Sequence, residues 1–296
     1  MAKLVTIISL LLLLLSSQRT EAQSISETSR QISNLIGKFP GEVGVCMISD
    51  LGDTVRINEN QHFPLLSVMK FHQALAISHK YSQSQRSLDR KIRVKSKELM
   101  PETWSPMRDR NPDGGKYSIA QLMMLSLLKS DNNASNILFD KVVSVGETNE
   151  FIHSIGINDC AVMTDERGMA KDLNACYDNW STPMSAAKLL EWFYENRNSD
   201  KYNERVWNAM TECKTGQSRI PRYLNGATIA HKTGTGPVLA DGSIMAVNDA
   251  ACVTFPDAHH YTIAVFIKNA HCNMTECEAL IADISRLCFG YYTKRK

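Results

Sequence analysis

Phe63–Tyr81 reads FPLLSVMKFHQALAISHKY, and the fold turns on what this stretch does. Pro64 suits a helix entry, and Val68, Met69, Phe71, Ala74, Leu75, Ala76 and Ile77 leave little polar face. The pattern predicts a helix enclosed by protein and not lying on its surface. Ser67 and Lys70 fall in its first turn. A spacing of three puts both on one face, where unpaired N–H groups add positive potential. A hydroxyl beside an amine there is a nucleophile with a candidate base. S-x-x-K alone is weak, since average usage yields about one per chain of this length. Ser126/Lys129 and Ser185/Lys188 fit it too.

Working outward, Ser26–Lys38 has the spacing of an amphipathic helix with Ile32, Leu35 and Ile36 inward. Glu42–Ser49 and Thr54–Asn58 read as a hairpin turning at Asp50-Leu51-Gly52-Asp53. Lys91–Tyr117 reads as irregular, punctuated by Pro101, Pro106, Pro112 and Gly114-Gly115. Ser118–Lys129 is a strongly apolar helix, and Ala134–Val143 another, with Asp131 or Asn132 as its natural N-cap. Asp159–Trp180 is long, polar and aperiodic, the kind of loop that is usually either functional or disordered. Pro183–Asn196 and Lys201–Cys213 are helical. Ala227–Lys232, Ser243–Thr254 and Tyr261–Ile267 are strand-like, with Lys232-Thr233-Gly234-Thr235-Gly236 at the exit of the first, and Glu276–Tyr292 closes as an amphipathic helix. The fold class expected is α/β of the α+β type: an antiparallel sheet flanked by helices, with an inserted all-helical domain. Its boundaries are 23–62 and 214–296 for the sheet domain and 63–213 for the insert.

Residues 1–22 read as a secretory signal: Lys3, the apolar run Leu4–Leu15, and a small-x-small site at Thr20-Glu21-Ala22. A retained anchor is the alternative. Removing Lys3, Arg19 and Glu21 moves the formal charge from +2 to +1, which with no basic cluster argues against nucleic acid. A soluble, periplasmic or secreted monomer is expected, with no membrane contact after signal removal. Eight cysteines at irregular spacings form no C-x-x-C pair and no zinc ligand set. Cys46 and Cys252 lie in apolar runs where buried free thiols are ordinary. Cys272 and Cys277 are near enough in sequence to bridge, and the sequence leaves that open.

Ser67-x-x-Lys70, Ser130-Asp131-Asn132 and Lys232-Thr233-Gly234 occur in that order. The Ser-Asp-Asn triplet has a chance expectation of about 0.05; helix capping accounts for it equally well until the third motif is added. In this order the trio resembles the class A β-lactamases and penicillin-binding proteins. With FP-x-LSV-x-K-F-H, TWSP, Asn179-Trp180 before Ser181-Thr182-Pro183, and HKTGTG, the chain resembles class A serine β-lactamases. Within them it is similar to the extended-loop cephalosporinases typified by Bacteroides enzymes, over Ser26 to Tyr292.

The resemblance implies a serine β-lactamase/penicillin-binding transpeptidase-like fold and hydrolysis of β-lactams through an acyl-serine, with cephalosporins preferred. No cofactor or metal is implied, and the small-molecule β-lactam is the partner. Ser67 would be the nucleophile, with Lys70 and Glu166 sharing the removal of its proton, and Ser130 would protonate the departing ring nitrogen. The N–H groups of Ser67 and Thr235 would form the oxyanion hole. Asn132 would hold the side-chain amide, and Trp104 would form an aromatic wall. Lys232, with Ser130, Thr233 and Thr235 beside Gly234, would take the carboxylate. Arg219 would add charge there, although a solvated arginine is the plain alternative. Glu166 matters most, because a loop carboxylate facing an acyl-serine can activate water; without it the chain would be a D,D-peptidase or a β-lactam sensor. Its spacing to Met169, Asp172 and Asn179-Trp180 carries that part of the resemblance. Two departures stand out. Ala170 replaces an Asn that helps hold the water in many relatives, and Met69 and Val238 exclude the cysteine pair of some carbapenem-hydrolysing ones. His72 and His231 are expected to be packed core histidines on faces turned away from the lysines.

Overall fold

The computed structural model describes residues 25–295; the expected signal, residues 1–22, lies outside them. Helix α1 (25–36) leads into β1 (Glu42–Ser49) and β2 (Thr54–Ile57). Their turn uses Gly52 at φ +85°, a left-handed conformation that glycine adopts without Cβ strain. The chain returns to this sheet only with β8 (Thr228–Thr235), β9 (Ile244–Thr254) and β10 (His260–Ala270), and ends in the long helix α10 (Met274–Arg295). The five strands lie antiparallel in the order β2-β1-β10-β9-β8, which makes β8 an edge.

Strand alternation divides the core. On β10, Ile263, Val265 and Ile267 join Ile32 of α1 and Ile281 and Ile284 of α10 on one face. Ala264 and Phe266 join the helical side on the other. That side begins with β3 (Phe63–Pro64) and α2 (Met69–Ser84), whose residues from Met69 to Ser78 are all buried. It continues through β4 (Lys91–Lys95), α3 (Pro106–Arg110), β5 (Gly114–Ser118), α4 (Ile119–Leu128), α5 (Asn132–Lys141) and α6 (Val145–Ser154). The next elements are β6 (Cys160–Ala161), α7 (Glu166–Lys171), β7 (Trp180–Ser181), α8 (Pro183–Asn196) and α9 (Lys201–Thr211). Side chains set the helix starts. Ser118 and Gln121 form a capping box on α4, Ser144 and Glu147 one on α6, and Thr182 caps α8 ahead of Pro183.

Several expectations need correcting. Pro64 does not open the helix: it pairs with Trp180 as a strand, and Leu66–Val68 is a 3-10 turn before α2 starts at Met69. Lys91–Tyr117 is not irregular, because β4 and β5 form an antiparallel ribbon that takes in Gly114-Gly115. Ile92 and Val94 alternate inward there, but five residues are too short for the alternation to stand out. Helix α6 was not anticipated at all. β8 runs on through Thr235, so Lys232-Thr233-Gly234 belongs to the edge strand and not to its exit. The long polar loop holds α7 and a 3-10 turn at Leu173–Tyr177. Among the described residues no helix is long and apolar enough to cross a membrane.

Candidate active site

Ser67 sits in the 3-10 turn at the head of α2. Leu66, just before it, has φ +48°, a conformation that costs a residue with a Cβ about 1–3 kcal/mol and persists only when its surroundings hold it. They do so here from both sides. Asn248 Nδ2 on β9 donates to the Pro64 carbonyl at 2.7 Å, and the Leu65 N–H donates to the Asn179 carbonyl at 2.7 Å. A Cβ on Gly234 would collide with the Leu65 carbonyl oxygen. Glycine in the third motif is therefore what lets the edge strand run against the nucleophile's turn.

Lys70 is fully buried one helical turn on. Its Nζ lies 2.8 Å from Ser67 Oγ, 2.6 Å from Asn132 Oδ1, 3.0 Å from the Ser130 carbonyl and 3.4 Å from Ser130 Oγ. Glu166 Oε1 stands 2.7 Å away on the remaining side. That approach falls outside hydrogen-bond angles, and Oε1 is otherwise unpartnered, so charge and not a directed bond ties the two. An ammonium has three protons, fewer than the acceptors gathered here. The arrangement can therefore redistribute its hydrogen bonds without moving heavy atoms.

Ser130 is a second non-glycine in the left-handed region, at φ +56°. Asp131 holds it in place. Its buried carboxylate accepts from Ser105 Oγ at 2.9 Å, the Met107 N–H at 2.6 Å and the Ala134 N–H at 2.9 Å. The capping reading of Ser-Asp-Asn is thus observed at Asp131, and the cap fixes the backbone on either side of it, from which Ser130 and Asn132 both reach Lys70. Asn132 bridges Lys70 to Thr103, donating to Thr103 Oγ1 at 2.7 Å. Trp104 is 62% exposed and is fixed by Nε1 donating to the Lys129 carbonyl at 2.8 Å. A packing plug would be covered, and this ring is not.

Glu166 opens α7, with Asp165 as N-cap. Its own N–H donates to Asn136 Oδ1 at 3.1 Å. The loop's neck is tied by Asn179, whose Oδ1 accepts the Met163 and Thr164 N–H groups at 2.7 and 3.0 Å while Nδ2 donates to the Thr164 carbonyl at 3.0 Å. Arg167 adds ion pairs to Asp140 and Asp165. Ala170 is exposed on the same helix.

Lys232 is fully buried on β8, donating to Ser130 Oγ at 3.0 Å and to the Thr233 carbonyl at 2.8 Å. Burial first, and then the Lys70 charge, bring its pKa down to about 7. Arg219 is not a solvated surface arginine. It is 4% exposed, and it donates to Thr235 Oγ1 at 2.7 Å and to the Gly234 and Asn248 carbonyls at 3.1 and 2.9 Å. Glu278 on α10 pairs with its Nε at 3.1 Å.

Ser67, Trp104, Ser130, Asn132, Arg219, Thr233 and Thr235 line one cleft of about 250 Å³. Lys70, Glu166 and Lys232 join it through the bonds above, and Gly234 backs it. Every sequence-predicted site residue is therefore brought together. Ser126 and Ser185 lie elsewhere, buried in α4 and α8. His72 is a core histidine whose Nδ1 faces the Val68 carbonyl, and burial lowers its pKa to about 4. His231 is buried too, paired with Asp249. Among the described residues no three His, Cys, Asp or Glu side chains gather as a metal site. Sequence reasoning missed Asn136, Asn248 and Glu278, which act across the fold and carry no local pattern, and gave no role to Thr103 within the TWSP motif.

Residues 27–292 match the family described as the β-lactamase enzyme family. A β-lactamase of Bacteroides uniformis is 35% identical over 272 residues, 90% of this chain and 92% of the relative. The extended-spectrum β-lactamase PER-1 of Pseudomonas aeruginosa is 32% identical over 295 residues, 98% of this chain and 95% of its own. The crystal structure of a class A β-lactamase from Bacteroides cellulosilyticus superposes with a TM-score of 0.86 at 33% identity, covering 93% of this chain and 99% of that one. A serine, two lysines and a glutamate meeting at one cleft, in a chain matched along nearly its whole length, make this protein a member of the class A serine β-lactamases.

Proposed function

We propose that Ser67 Oγ attacks the β-lactam carbonyl to form an acyl-enzyme, and that Glu166 then activates the water that hydrolyses it. One observation carries the reading: Lys70 Nζ stands 2.8 Å from Ser67 Oγ and 2.7 Å from Glu166 Oε1. The nucleophile thus has beside it an amine that can take its proton once its own has passed to the carboxylate one step on. Ser130 Oγ, between Lys70 and Lys232, delivers a proton to the ring nitrogen as the amide bond breaks. The N–H groups of Ser67 and Thr235 stabilise the oxyanion. Asn132 takes the substrate's side-chain amide, and Trp104 gives that side chain an apolar wall. Cephalosporins are the preferred substrates, a choice supported by likeness to an extended-spectrum relative and by the TWSP loop. The enzyme acts after export directed by residues 1–22. Repeated turnover of a chromogenic cephalosporin tests the reading; one equivalent of product followed by silence contradicts it.

The substrate carboxylate goes to Lys232, Thr233 and Thr235, with Arg219 behind Thr235. The lowered pKa of Lys232 gives a signed prediction. An amine is cationic below its pKa, so the free enzyme loses this charge as pH rises through about 7. Because kcat/KM reports the free enzyme, it should fall above that pH for a carboxylated β-lactam and not for its ester. Lys232→Ala should cost the carboxylated substrate about 2 kcal/mol, roughly 30-fold in kcat/KM, and the ester much less. Equal rates for acid and ester in the wild type would contradict the assignment.

A further inference from the structure

Behind the carboxylate end of the cleft lies a second set of reactive groups that the chemistry above does not use. Cys213 follows α9, His231 precedes Lys232 on β8, and Asp249 sits on β9; all three are buried. His231 Nδ1 pairs with Asp249 Oδ1 at 3.0 Å, and Asp249 Oδ2 also accepts the Ile220 N–H at 3.2 Å. The other ring nitrogen, Nε2, is buried with no hydrogen-bond partner of good geometry, and the Cys213 thiol neighbours the ring. Cys213 and His231 both line an open cleft of about 530 Å³ that shares no lining residue with the active-site cleft.

This thiol differs from its fellows. Burial raises Cys46, Cys160 and Cys288 to about 12. At Cys213 burial pushes the same way, but the neighbouring His231 ring, then Lys232 and the Thr215 hydroxyl, outweigh it and bring the thiol to about 7. Against burial, Asp249 holds the imidazole up, to about 10. A thiolate facing an imidazolium is a nucleophile at neutral pH. The charged groups around the pair are Asp249, Lys232 and, on the cleft wall, Lys214.

A short relay links this thiol to the active site. Cys213 Sγ is 3.3 Å from Thr215 Oγ1, which is 2.7 Å from Thr233 Oγ1. We propose that Cys213 is a modification site for low-molecular-weight disulfides entering the rear cleft, and that the adduct weakens substrate-carboxylate binding by displacing Thr215 from Thr233. In the step, Cys213 Sγ attacks one sulfur of the disulfide and a new S–S bond forms. The reagent's S–S bond breaks, and the departing thiolate takes a proton from water. Cys213 is oxidised to a mixed disulfide as one half of the reagent is reduced to thiol. Thiol reductants reverse the step. The coupling rests on Thr233 as a carboxylate ligand; the modification itself does not.

The test treats the native enzyme with 2-hydroxyethyl disulfide, maps adducts by peptide mass spectrometry and follows kinetics. Cys213 should be modified ahead of Cys46, Cys252 and Cys288. KM for a carboxylated β-lactam should rise at least fivefold with kcat little changed, and dithiothreitol should restore it. Cys213→Ser should keep the unmodified activity and resist the reagent. In His231→Asn the pH midpoint of modification should move upward, which a merely structural histidine would not cause. If Cys213 reacts only after denaturation, the site is refuted, even where Cys213→Ser fails to fold. If Cys213 is modified and KM is unchanged, the coupling is refuted. If the untreated enzyme treats acid and ester substrates alike, the carboxylate assignment fails instead, and the labelling result stands apart from it.

Discussion

Glu166→Gln should convert the enzyme from a catalyst into a trap. Glutamine keeps the size of the side chain and removes the proton acceptor. The loop should keep its shape, because Glu166 is anchored by its backbone N–H to Asn136 and the neck by Asn179. Acylation should survive in part, since Lys70 remains 2.8 Å from Ser67 Oγ and both proposed oxyanion donors are backbone groups. Deacylation should fall by about 10²–10⁴-fold, the range for a lost general base. The protein should therefore gain the mass of one β-lactam and keep it. Ala170 bears on this expectation, because a methyl group offers the water no hydrogen bond and another group or the backbone must help Glu166 hold it. A folded Glu166→Gln enzyme that turns over at the wild-type rate and traps nothing would move the base elsewhere, with the adjacent Asp165 next to test.

Ser67→Ala should abolish covalent labelling by penicillin and lower turnover by about 10⁶-fold, the scale of losing a serine nucleophile. Folding should be little affected. Lys70 keeps Ser130, Asn132 and Glu166 as partners, and the turn is held through the backbone of Pro64 and Leu65. The other two S-x-x-K serines are the controls. Ser126 is buried with its hydroxyl unpartnered, and Ser185 lies in the first turn of α8. Ser126→Ala and Ser185→Ala should both label normally. Loss of labelling in either, with labelling retained in Ser67→Ala, would show the nucleophile misassigned.

The parts of this account legible in the sequence are those whose cause is local. The apolar run of α2, the Asp131 cap and the three motifs each declare themselves within a few residues. The entry to α2 misled because Pro64 is equally at home at a helix start and in a short strand. What decides between them is the pairing of Phe63-Pro64 with Trp180-Ser181, more than a hundred residues away. The β4–β5 ribbon is hidden because each strand is only five residues long, too short for alternation to show. Arg219 illustrates the limit within the site. Nothing around it in sequence marks an arginine as buried, and its partners Thr235, Asn248 and Glu278 come from three other elements. Motifs name the groups that do chemistry; the supports that aim them are spread through the fold.

The most direct test of the central claim follows the acyl-enzyme itself. Wild-type enzyme and Glu166→Gln are mixed with a cephalosporin that has no 3′ leaving group, quenched at intervals and mapped by tandem mass spectrometry. In the wild type, an adduct on the peptide containing Ser67 should appear within the first turnover and vanish as substrate is exhausted. In Glu166→Gln the same adduct should form and persist. An adduct on any other residue, or full turnover by both proteins with none on Ser67, would contradict the account.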